Sequence, residues 1–84
     1  MAIQNVIWDT DDDPRGNVQH IADHGLTRED VESVLFGVHE LDRSRSSGLP
    51  IALGFTSAGE YLCVVFEWVD EDSVYPLTAY VIGE

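Results

Sequence analysis

Apolar and polar positions change their period several times along the chain, and each change marks an element. Ile3 to Trp8 alternate weakly and carry β-formers, which predicts a short first strand. The acidic run Asp9, Asp11, Asp12 and Asp13 then meets Pro14. An Asp cap before a first-turn proline is a helix start signal. The predicted helix runs through Val18, Ile21 and Ala22, spaced as one apolar face, and Gly25 after His24 stops it. Thr27-Arg28-Glu29-Asp30 opens a second helix: Thr27 caps it, and the first-turn acids suit its dipole. Leu26 and Val31 stand at the positions of a hydrophobic staple; Val31, Val34 and Leu35 form the apolar face, and Gly37 ends it.

From there the period falls to two. Val38 to Leu41 reads as a short edge strand, and Arg43 to Gly48 as a polar loop. Pro50 to Thr56 alternates large Ile51, Leu53 and Phe55 with small Ala52, Gly54 and Thr56, a strand with one large-residue face. Ser57 to Glu60 is a hairpin turn. Tyr61 to Trp68 is the most apolar strand and is expected at the sheet centre. An acidic loop, Val69 to Ser73, leads to a last strand from Val74 to Ile82, where Pro76 favours an edge position.

Consecutive hairpins make an antiparallel sheet, and two helices cover one of its faces. The expected fold is a two-layer α+β domain spanning residues 1–84, with three to five antiparallel strands in the order β-α-α-β-β-β. On alternation, the core face takes Ile51, Leu53, Phe55, Leu62, Val64, Phe66, Trp68, Leu77, Ala79 and Val81. The open face takes Ala52, Gly54, Thr56, Tyr61, Cys63, Val65, Glu67, Pro76, Thr78 and Tyr80. Within it, Tyr61, Val65, Glu67, Thr78 and Tyr80 are the candidate partner-binding residues, and a homodimer could also cover them.

Charge changes this picture most. The 84 residues hold sixteen acidic side chains against four arginines and no lysine, for a formal net charge of −12. Such a field repels phosphate backbones and anionic membranes and attracts basic partners. It also opposes compaction, so stability should rise from low to moderate salt. Cys63 is the sole cysteine, which rules out an intramolecular disulfide. With no leader or membrane-spanning pattern, a reducing cytoplasm is the expected compartment.

Candidate chemistry is sparse. Asp9-x-Asp11-x-Asp13 starts like a calcium loop, but Pro14 holds the glycine position and His20 the final glutamate position. His20 and His24 share a helix face and would need a third metal ligand such as Asp23 or His39. Ser44, Ser46 and Ser47 lack a nucleophile frame. No metal and no cofactor is expected. Arg43 and Arg45 are the only clustered cations, able to grip a phosphate or carboxylate or to form loop salt bridges.

Several short motifs together resemble the BrnT-type toxins. They are Trp8-Asp9, Asn17 with His24-Gly25, the acidic second helix ending Val34-Leu35-Phe36, and Arg43-Ser44-Arg45-Ser46-Ser47-Gly48 before Pro50-Ile51-Ala52-Leu53-Gly54-Phe55. The resemblance covers most of the chain. It implies a RelE-like fold, descent from the ribonuclease half of a type II toxin–antitoxin pair, and an open sheet face where such proteins place RNA. The family's helix lysine is here Asp23, and no Lys or Arg follows Arg45. RNA cleavage needs cations against the charge developing in the transition state. The expectation is therefore a non-catalytic, acidic module binding a basic or antitoxin-like protein. The alternative is an active ribonuclease using Arg43, Arg45, Glu67 and Tyr80.

Overall fold

The computed structural model describes residues 3–82. It is a two-layer α+β fold with elements β1 (Asn5–Val6), α1 (Asn17–Ala22), α2 (Arg28–Phe36), β2 (His39–Arg43), β3 (Pro50–Phe55), β4 (Tyr61–Trp68) and β5 (Ser73–Val81). The sheet order is β1-β5-β4-β3-β2. β2 to β5 form the expected antiparallel meander, with β4 at its centre and β2 at one edge. The sheet is nevertheless mixed, not wholly antiparallel: β1 runs parallel to β5, pairing Asn5 with Ser73 and Val6 with Val74. The chain between β1 and the meander returns through both helices, a connection long enough for a parallel neighbour.

Both helices follow their sequence signals, with one shift. α2 begins on Thr27, whose side chain accepts from the Asp30 amide while the Asp30 carboxylate accepts from the Thr27 amide. This reciprocal box satisfies two otherwise orphaned donors. The flanking Leu26 and Val31 are both buried. α1 starts at Asn17 rather than beside Pro14, because residues 10–16 first wind through two turns closed by Asp13 N to Thr10 O and Gly16 N to Asp13 O. An Asp still serves the first turn, but it is Asp9, accepting from the Asn17 amide at 2.9 Å. At the far end Gly25, with φ +78°, donates to Ala22 O while Leu26 N reaches Ile21 O. These are the bonds of a Schellman stop.

α1 packs on β5, and α2 packs on β3 and β4. The core between the layers centres on Ile21, Val31, Val34, Leu35, Leu62, Val64, Phe66, Val74 and Ala79. β4 presents the expected Leu62, Val64 and Phe66 to it, but Trp68 at its end is 39% exposed, and Val81 at the end of β5 is 43% exposed. β3 departs from the expectation along its length. Ala52, Gly54 and Thr56 are buried, while Ile51 and Leu53 are half-buried and Phe55 is 62% exposed. The faces of β3 are thus reversed from the expectation. The cause is close approach: a Cβ on Gly54 would lie 3.0 Å from Val38 O and 3.1 Å from Val34 Cγ1. Large residues cannot fit under α2 there, so the small ones turn inward.

β5 also departs from the expectation. The ladder with β4 shifts register after Val65, so that Val65 faces Thr78 while Phe66 faces Pro76. Leu77 is the extra residue, a bulge that inverts the alternation upstream of it. Pro76 is therefore buried on the core side and Leu77 is half-buried, the opposite of the simple alternation. Nor is β5 an edge strand, since it lies between β1 and β4. The proline is tolerated because β1 ends at Val6; Pro76 O, on the flank β1 has left, accepts instead from the Asn17 carboxamide at 2.9 Å.

Candidate functional site

Residues directly paired across strands share a face. The register therefore places Phe55 beside Tyr61, Leu53 beside Cys63 and Tyr80, and Ile51 beside Val65 and Thr78. These rows form a continuous, largely apolar strip on the helix-free side of the sheet. The Phe55 and Tyr61 rings pack at a 42° tilt with centroids 4.7 Å apart. On the β2 flank, Glu40 pairs with Leu53 and Asp42 with Ile51, so two carboxylates line one margin. Glu67 pairs with Tyr75 at the other end of the strip. The partner candidates Tyr61, Val65, Glu67, Thr78 and Tyr80 thus do share one face, joined by Ile51, Leu53 and Phe55. The expected turn over Ser57 to Glu60 would have set Thr56 opposite Tyr61; the ladder instead pairs Phe55 with Tyr61, and Thr56 joins the turn through Thr56 N to Glu60 O.

The four candidate catalytic residues lie apart. Arg43 pairs with Pro50, on the side of the buried Ala52 and opposite Asp42, and its guanidinium donates to Gly48 O. Arg45 is exposed in the β2–β3 turn. Tyr80 sits opposite Cys63, four residues along β4 from Glu67, which is roughly 13 Å at strand rise. Tyr80 faces the Cys63 side chain, and that neighbour, together with burial, raises its pKa. A phenol held neutral in this way is a poor base. Among the described residues, no arginine occupies a position on the open face.

The acidic first loop is committed to structure. Asp9 accepts from the Asn17 amide and from the Tyr75 hydroxyl. Those bonds, Tyr75 first, hold the Asp9 carboxyl below its ordinary pKa. The same bond, burial and nearby Asp9, Asp13 and Glu67 push Tyr75 up to about 12. Asp11 lies 3.6 Å from Arg28, and Asp13 accepts from the Arg15 amide at 3.0 Å. The three aspartates of the calcium-like pattern therefore have separate partners. His20 and His24 stack at 5.9 Å, while His39 is turned to Val34 O and Gly37 O. No group of three metal-ligating side chains converges among the described residues. Ser44, Ser46 and Ser47 bond one another and the backbone within their turn. No helix among the described residues is long and apolar enough to cross a membrane.

Two shallow hollows flank the edge strand. One is lined by Leu41, Arg43, Pro50, Phe66 and Trp68, the other by His39, Glu40, Leu53, Phe55 and Tyr61. No protein-family model matches the chain, and neither a curated protein nor a solved structure is detectably similar to it.

Proposed function

We propose that this chain is an acidic protein-binding module of BrnT-like, RelE-like descent that acts in the cytoplasm and lacks nuclease activity. Its open sheet face docks a basic, antitoxin-like partner. The supporting observation is the face itself: apolar Ile51, Leu53, Phe55, Tyr61 and Val65, carboxylates at Glu40, Asp42 and Glu67, and no arginine position among the described residues. An apolar centre with a charged margin is the anatomy of a protein interface. Carboxylates there steer cationic partners in and polyanions away. Ribonuclease chemistry would need Arg43, Arg45, Glu67 and Tyr80 to converge on one phosphate, and they lie on different sides and rows of the sheet.

The test is expression in growing bacteria with RNA integrity followed over time. Growth should continue with intact RNA. Growth arrest with RNA cleavage, abolished by Arg45→Ala, would establish the toxin chemistry instead.

A further inference from the structure

The sheet has two edges, and they are not equivalent. β1 is two residues long, and the Asn17 carboxamide takes the carbonyls of Ile7 and Pro76 beyond it. That edge is closed. β2 presents five residues, four of them exposed and none proline. Ser44 N donates to Leu49 O across the loop neck. By alternation the backbone groups of Asp42 and Glu40 also face β3, and those of His39, Leu41 and Arg43 point away from the sheet. The outward Arg43 amide is met by its neighbour's carboxylate, with Arg43 N donating to Asp42 Oδ1 at 2.8 Å.

We infer that β2 receives an added strand from a cationic partner. This rests on the open-face proposal for the partner's charge and adds the mode of attachment. Three features converge. The outward backbone groups of β2 are a template for pairing. The open-face side chains of β2, Glu40 and Asp42, are both anionic and would meet lysine or arginine at alternate positions of the incoming strand. On the other side, half-exposed Leu41 borders the hollow with Pro50 and Trp68, ready for an apolar residue. A second copy of this chain does not fit. Two β2 strands paired antiparallel about Leu41 would set Glu40 against Asp42 twice, and like charges directly opposite repel. An incoming carbonyl takes the Arg43 amide and releases the Asp42 carboxylate to the arriving cation.

A short peptide alternating lysine and valine is the probe, with hydrogen exchange of the full chain as readout. Exchange of the Leu41 and Arg43 amides should slow about tenfold or more in the complex. The Glu40 and Asp42 amides, already turned to β3, should not change. N-methylation of the peptide residues facing β2 should weaken binding about tenfold by removing backbone bonds. The double variant Glu40→Lys, Asp42→Lys should reverse the preference towards a glutamate–valine peptide. No binding, or binding indifferent to N-methylation, overturns strand addition. Changes at Leu53 and Val65 with the Leu41 amide unaltered also overturn it, while leaving the open-face interface standing.

Discussion

The Asn17 carboxamide donates to Ile7 O at 3.0 Å and Pro76 O at 2.9 Å, and its oxygen accepts from the Asp9 amide at 2.9 Å. One buried side chain thereby joins the end of β1, the proline-bearing flank of β5 and the start of α1. Asn17→Ala leaves two carbonyls and an amide without these partners. It should cost about 2–4 kcal/mol, read by urea unfolding. Beside it, the Asp9–Tyr75 bond sets a pH window. Asp9 is depressed below its ordinary 3.8, so its contribution is present above about pH 4 and is lost as pH falls through the folded value. Tyr75 is raised from 10.0 to about 12, so its contribution is full below pH 10 and is lost as pH climbs towards 12. Melting curves across pH should decline on both flanks. Tyr75→Phe should weaken the alkaline decline, leaving the part due to Tyr80, and shrink the acidic one. Unchanged flanks in that variant would contradict the pairing.

At the scale of elements, β3 separates what was legible from what was not. Helix α2 could be read from Thr27 and Asp30 because capping is local chemistry. β4 could be read because its run is apolar apart from Glu67. The face of β3 depended on how near α2 lies, which no local pattern encodes, and large Ile51, Leu53 and Phe55 pointed the wrong way for a size rule. The Leu77 bulge was likewise hidden, since one extra residue leaves no mark on composition. Tyr61, Val65 and Glu67 on β4 share a face with Thr78 and Tyr80 because all five lie where simple alternation holds, on β4 or after the bulge on β5. The reversed β3 makes a sharp prediction. Gly54→Ala should destabilise by about 1–3 kcal/mol, since its methyl meets Val38 O and Val34. Leu53→Thr, on the open face, should cost under about 1 kcal/mol. Denaturant midpoints of the two variants check this, and the reverse ranking would restore the large-residue core.

For the molecule as a whole, charge dominates. A net −12 on 84 residues opposes compaction and is screened over about 10 Å at 0.1 M salt. The melting temperature should therefore rise by about 2–5 °C between low and moderate ionic strength. A flat response would mean that the carboxylates are already neutralised in the folded state. The same field governs partner choice. Arg43 and Arg45 lie at the β2–β3 turn, while the margins of the open face at Glu40, Asp42 and Glu67 are anionic. On the proposed reading, this field repels RNA from the open face and draws a basic protein to it.

The most direct measurement is a nuclear magnetic resonance titration of the labelled chain at low salt, with single-stranded RNA in one arm and a lysine-rich, valine-bearing peptide in the other. The peptide should move the signals of Leu53, Val65 and Thr78, and RNA should leave them in place. RNA shifting those three residues while the peptide does nothing would contradict the account.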